Sequence, residues 1–171
     1  MSGRVYYNEF SPDAIQLLQI FMGEGIIPKG VIDTRSIKDV EAKDLKGFNH
    51  CHFFAGYGGH AIALAQAGWP SEREIWSGSC PCQSFSAAGN QEGFADSRDL
   101  WPTWFELIRE CEPEVILGEQ VERAIKFGWL DRLENDLETA GYQVAAAIIP
   151  AAAVNAPHKR DRLWFFADRQ K

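Results

Sequence analysis

The stretch GSCPCQSFSAAG, residues 78–89, sets Cys80 and Cys82 on either side of Pro81, between an apolar run and a loop rich in serine and glycine. Cysteines so placed serve three chemistries: a disulfide, a metal site, or a thiolate nucleophile. The four cysteines, Cys51, Cys80, Cys82 and Cys111, are even in number. The amino terminus, however, shows no apolar segment with a cleavage site that would direct the chain to an oxidising compartment. A zinc site calls for paired Cys-x-x-Cys or Cys/His spacings, and here the spacing is Cys-x-Cys with no second pair. No metal is expected. A cytoplasmic location is expected, and no apolar run reaches the roughly 20 residues a membrane helix needs.

A nucleophile is useful only where a fold gathers partners around it, and the rest of the chain reads as strands alternating with helices. RVYYNE (4–9) is a strand, followed by a helix with Ser11 as N-cap and Pro12 at its first position. GVIDTRSI (30–37) and HCHFFAG (50–56) are further strands, the second running into a glycine turn and the helix HAIALAQAGW. REIWSGS (73–79), a helix near 100–111, EVILG (114–118), a helix over 128–141, and the strands QVAAAIIPA and RLWFFAD complete the chain. This alternation predicts one doubly wound, three-layer α/β/α domain with a parallel sheet, and 171 residues supply one sizeable core.

In such a sheet, ligands bind beyond the carboxyl ends of the strands. The residues there are Glu9, the segment 33–37, Gly56-Tyr57-Gly58-Gly59, Pro81-Cys82-Gln83, Glu119-Gln120-Val121 and His158-Lys159-Arg160-Asp161-Arg162. A glycine turn opening a helix admits close approach of a cofactor, and an acid ending another strand suits a ribose diol. Each feature alone has a plainer reading: a tight turn, a core cysteine, a solvated charged loop. Their joint order is more specific.

Taken together, these segments resemble the DNA cytosine-5 methyltransferases. FFAGYGG (53–59) resembles their S-adenosylmethionine loop, PCQSFSAAG (81–89) their catalytic loop, and GFADSRDLW (93–101) the segment after it. GEQV (118–121) resembles their Glu-Asn-Val element and APHKRDRLWFFA (156–167) their Gln-x-Arg-x-Arg element. The resemblance selects the third chemistry, with Cys82 as nucleophile and Cys80 without a role. It implies a Rossmann-like methyltransferase fold with S-adenosyl-L-methionine as cofactor, held by Phe54, Ala55, Gly56, Gly58, Gly59 and Pro81. Gln83, Ser86 and His158 would contact the substrate, His158 standing where glutamine is usual.

The reaction accounts for these residue types. Carbon 5 of cytosine is a poor nucleophile until a thiolate, here that of Cys82, adds at carbon 6. Negative charge then builds at nitrogen 3, where a protonated carboxyl, Glu119, neutralises it; desolvation at the end of a buried strand would favour its acid form. Arg162 would hold the base's O2, and Arg160 a phosphate or the catalytic loop. The target base must leave its stack to be reached.

The chain departs from the family's order. Between the glycine turn and Cys82 only one helix and one strand fit, where the family carries two more strand–helix units. The missing units appear at the amino terminus: YYNEFSPDAIQLL with Glu9 as the ribose acid, and RSIKDV with Ser36 and Ile37, Ser36 standing where an aspartate is usual and Asp33 as the alternative alignment. A circular permutation is therefore expected, with residues 1–48 supplying permuted cofactor-binding strands and 49–171 the glycine turn and catalytic elements, in a single domain without a target-recognition domain. His52 replaces an acid and Gln120 an asparagine.

The expected activity is methylation of cytosine in DNA by a short core of phage or prophage type, either minimal or one half of a split enzyme served by a separate recognition subunit or a second copy. The alternative is a catalytically degenerate module that binds cofactor, DNA or a protein partner. Retention of Cys82, Glu119, Arg160 and Arg162 together favours the enzyme. A net charge of −7 opposes unspecific attraction to phosphates and favours the module. RNA as the substrate is a third reading, since nothing in the sequence reads deoxyribose.

Overall fold

The computed structural model describes residues 4–81 and 99–169. Among these, seven strands form one sheet: β1 (Val5–Asn8), β2 (Gly30–Asp33), β3 (His50–Phe53), β4 (Ile75–Gly78), β5 (Val115–Val121), β6 (Tyr142–Pro150) and β7 (Asp161–Arg169). Their order is β2-β1-β3-β4-β5-β7-β6. The helices α1 (Pro12–Gly23), α2 (Gly59–Gln66), α3 (Trp101–Cys111) and α4 (Trp129–Thr139) lie between them in the chain.

The burial of each strand follows its place. β1 and β3 have neighbours on both sides and are buried at every position, including the polar Asn8, His50 and His52, whereas β2 at the edge is half open. Alternate residues of β1 separate the two faces. Val5 and Tyr7 pack with Leu18 of α1 and Ala61 of α2, while Tyr6 joins Phe53, Trp76, and the tryptophans and leucines of α3 and α4 on the opposite side. This gives the expected three layers. Trp76, Trp101, Trp104 and Trp129 are almost fully buried, and each indole of that size removes about 150–250 Å² from water.

β1 runs parallel to both β2 and β3, with Val5 opposite Gly30 on one side and His50 on the other. The strand nearest the amino terminus therefore lies inside the sheet, beside the strand that feeds the glycine turn.

The sheet departs from the expected all-parallel form. β7 runs antiparallel to both β5 and β6, because only residues 151–160, which include the short 3-10 turn Ala151–Val154, separate β6 from β7. Without a crossover helix the chain can only turn back. The long antiparallel β7 extends β5 through Glu119 and Gln120 to Val121, so Glu119 sits within a paired strand, opposite Trp164. Gly118 is required there. A Cβ at this position would lie 2.0 Å from Cζ of Phe165, its cross-strand partner. The strand expected over 30–37 ends at Asp33, and Ser36 instead caps a 3-10 turn, Ile37–Asp39, by accepting a bond from the Lys38 N–H.

Candidate active site

The glycine turn joins β3 to α2 through three residues at positive φ: Phe54 at 51°, Gly56 at 54° and Gly58 at 82°. A Cβ on Gly58 would press on Ile27 and Leu18 at about 3.2–3.3 Å, so that glycine lets the turn close on α1. Around Gly56 and Gly59 a Cβ would meet no atom within 4 Å, because both face an open cleft. The turn is held by backbone bonds. Ala55 N–H donates to the carbonyl of Asn8, and Gly56 N–H donates to Glu9 Oε2 at 2.8 Å. The second oxygen of Glu9 accepts the Ser11 N–H at 2.8 Å; Ser11 stands at the N-cap as expected, but its side chain makes no capping bond.

Beside this turn lies a cleft of about 340 Å3 whose apolar walls are Ile37, Phe54, Pro81, Leu100 and Phe10, with Glu9 and Ser36 among its polar groups. Of the two alignments for the third family element, Ser36 reaches the cleft. Asp33 lies behind it, where its carboxylate accepts from Tyr6 Oη at 2.8 Å and from the Arg35 guanidinium. The Arg35 side chain is the main cause that holds the Asp33 carboxyl down to about 2. The buried Asn8 donates to the carbonyls of Asp33 and Arg35, which fixes the course of this loop.

A second, larger cleft of about 960 Å3 shares Phe54 with the first, takes in Gly56 and Gly59 of the glycine turn, and reaches Glu119, Arg160, Arg162 and Trp164. Arg162 Nε lies 2.6 Å from Glu119 Oε1, with each side chain about a fifth exposed. Glu119 therefore meets a cation rather than the apolar surroundings expected for it. Arg160, at φ 41°, is exposed along the same cleft. His158 is exposed and lies outside the residues that line it, and Lys159 pairs with Asp161 at 2.6 Å.

Gln120 is buried, bonds the Cys80 carbonyl through Nε2 at 3.4 Å, and accepts the Val121 N–H. It thus ties β5 to the segment that leads toward Cys82. Burial pushes the Cys80 thiol well above its ordinary value, which suits a core residue and not a nucleophile. Cys82, Gln83 and Ser86 lie outside the described residues. Among the described residues no group of three or more His, Cys, Asp or Glu side chains gathers as a metal site would require, and no helix is long and apolar enough to cross a membrane.

Residues 69–171 match the family model for C-5 cytosine-specific DNA methylases. The chain belongs to this family. Among curated relatives, the type II methyltransferase M.AplI of Arthrospira platensis is 35% identical over 92 residues, covering 53% of this chain and 27% of the relative. M.HhaI of Haemophilus parahaemolyticus is 25% identical over 170 residues, covering 77% and 52% respectively. The fold is similar to that of a DNMT2 mutant from Spodoptera frugiperda, at a TM-score of 0.60 and 14% identity, over 98% of this chain and 50% of that one. It is also similar to a putative DNA modification methyltransferase from an E. coli prophage, at a TM-score of 0.55 and 16% identity, over 97% and 47%. The chain thus spans about half or less of the length of these relatives.

Among the cleft-lining residues that sequence reasoning missed are Leu100, Trp164 and His60. Leu100 precedes a tryptophan-rich helix and reads as core. Trp164 and His60 meet ring to ring at 5.9 Å, although 104 positions separate them in the chain. Burial holds His60 down to about 4, so it is neutral near pH 7. His52, at the expected acid position, is fully buried, with Nδ1 2.7 Å from Ser77 Oγ; burial holds it down to about 3.

Proposed function

We propose that this methylase transfers a methyl group from S-adenosyl-L-methionine to carbon 5 of cytosine in DNA, through a covalent bond between Cys82 and carbon 6. The observation that carries this reading is the Glu119–Arg162 pair opening on the same cleft as the glycine turn. The residues present fit the cofactor. The apolar walls of Ile37, Phe54, Pro81 and Leu100 suit a flat heterocycle, Glu9 offers a carboxylate to a diol, and the space beside Gly56 and Gly59 would be filled by any Cβ. When bound, the cofactor supplies an electrophilic methyl group.

The chain's own residues do the rest. The Cys82 thiolate forms a bond to carbon 6, the ring double bond shifts its electrons toward carbon 5, and nitrogen 3 takes a proton through Glu119, whose carboxylate, paired with Arg162 in the free protein, first takes one up from solvent. Arg162 holds the O2 edge and keeps Glu119 aimed. After methyl transfer, the carbon 5 proton leaves to solvent, the carbon–sulfur bond breaks, the thiolate returns, and nitrogen 3 gives its proton back to Glu119. Arg160, exposed at the rim, meets a phosphate, and His158 lies further out on the same loop.

The chain order is read as a circular permutation. The parallel pairing of β1 with β3, with β2 on the outer side, supports it. Base-edge reading is assigned to segments or subunits outside these 171 residues, such as a separate recognition chain or a second copy, since this core offers mainly flipped-base and phosphate contacts. A cytoplasmic setting follows from DNA as substrate.

Trapping tests the reading. With DNA carrying 5-fluorocytosine, loss of the carbon 5 proton is blocked, so protein and DNA stay joined in the presence of cofactor. Cys82→Ala abolishes the adduct and Cys80→Ala retains it. Single-stranded DNA, duplex DNA and RNA are compared, because unstacking costs least in single strands. Cofactor binding without any adduct on all three substrates would favour the degenerate module.

A further inference from the structure

Leu100 forms one wall of the cofactor cleft and also occupies the N-cap of α3, at φ −100° and ψ 1°, where its side chain gives the helix no cap. Leucine is among the least suitable residues at that position, since the first helical N–H groups need an acceptor. The acceptor comes from one residue earlier. Asp99 Oδ1 takes the Trp101 N–H at 3.2 Å, and its Oδ2 lies 3.0 Å from Arg132 Nη1 of α4. Asp136, one turn along α4, takes the Trp101 indole N–H at 2.9 Å and lies 3.8 Å from Arg132 Nε. Asp99 is nearly buried, with its side chain 7% exposed.

This cluster is not needed to dock α3 on α4. The fully buried Trp101, Trp104, Trp129, Leu133 and Leu137 already do so through apolar packing. What packing leaves open is the backbone just before the first turn of α3, and with it the direction of Leu100. We infer that Arg132 is a positioning residue for the cofactor cleft: by holding Asp99, it fixes Leu100 against the cofactor's base. The inference rests on the reading of that cleft as the S-adenosylmethionine site.

The test is calorimetric titration of the whole chain with S-adenosylhomocysteine, together with amide hydrogen exchange on the ligand-free protein. Arg132→Ala and Asp99→Asn should each raise Kd about tenfold, the loss expected for one charge-assisted bond acting through a contact residue. Both should speed exchange at Trp101, while Arg132→Lys, which keeps one charged donor for Asp99, stays within about threefold of wild type. Arg109→Ala removes an exposed ion pair with Glu106 at the other end of α3 and should leave Kd unchanged. Folded Arg132→Ala and Asp99→Asn proteins that bind like wild type would overturn the inference, even with a lowered melting temperature, since that pattern marks a purely structural pair. If wild type itself binds no S-adenosylhomocysteine, the cleft reading falls and takes the inference with it.

Discussion

On the β2-β1-β3 side of the sheet, polar groups are tied to the backbone: Glu9 takes two N–H groups, Asn8 reaches two carbonyls, and Asp33 takes the Arg35 N–H besides its side-chain bonds to Tyr6 and Arg35. On the β5-β7-β6 side, Glu119 is held by a neighbouring side chain at the rim of a cleft, and the strand beyond, Ala145 to Ile149, is exposed throughout. The first arrangement is set before any ligand arrives, because backbone donors do not reorient. The second is a side-chain pair that an incoming base must enter and rearrange. Cofactor affinity should therefore depend on groups that bind backbone, and turnover on groups that bind each other.

The sharpest division lies between the two glutamates. Glu119→Gln should slow methylation roughly a hundred- to thousandfold, the usual worth of a positioned acid, and leave the S-adenosylhomocysteine Kd within about twofold. Radiolabel transfer at saturating cofactor gives the first number and calorimetry the second. A large change in Kd would show that the two clefts are not separable.

Glycines on the two sides should part in the same way, with a smaller effect. Gly118→Ala drives a Cβ into the Phe165 ring and should cost about 2–3 kcal/mol of stability in urea unfolding. Gly56→Ala meets open space and only the strain of φ 54°, about 1 kcal/mol, yet it should weaken cofactor binding. Equal losses of stability would contradict the contrast.

Glu9→Gln comes next. The carboxylate accepts from both Ser11 and Gly56, whereas an amide has one acceptor and would turn its own NH2 toward one of those N–H groups. Cofactor Kd should rise roughly tenfold or more, at nearly unchanged turnover under saturation. Glutamine here should do no better than alanine, which a simple ribose contact would not predict.

How far the sequence was legible follows the same line. The glycine turn and the acid at the end of the first strand were readable because each depends on local chemistry: a turn that needs positive φ and a carboxylate directly after an apolar run. Glu119's partner was not, because it depends on β7 folding back antiparallel across β5, a pairing set some 40 residues away in the chain. Leu100 and Arg132 were hidden for the same reason, since the bond that joins their neighbourhoods links residues 33 positions apart. The choice between Asp33 and Ser36 turned on a single 3-10 turn, too short to leave a periodic signal.

Acid should weaken the cofactor side in two stages. His52 and His60 stay neutral in the fold down to about 3 and about 4, while in the unfolded chain they take up protons near 6.5. Their contribution is complete above 6.5 and is lost as pH falls toward those folded values. His60→Phe should flatten part of that slope. Asp33 acts lower and more weakly. Its folded value, about 2, lies below its ordinary 3.8 because Arg35 and then the Tyr6 hydroxyl favour the charged form, so its contribution is present above 3.8 and disappears as pH falls through about 2. Arg35 is half exposed and solvent screens the pair, so Asp33→Asn should cost about 1 kcal/mol near neutral pH, less than the shift alone suggests. Urea unfolding of both proteins should show that difference shrinking between 3.8 and about 2. Because Asn8 holds the same loop through the carbonyls of Asp33 and Arg35, which the substitution leaves in place, cofactor Kd should change by no more than about twofold. A larger change would mean that the side chain of Asp33, and not the backbone it ends, sets the wall of the cleft.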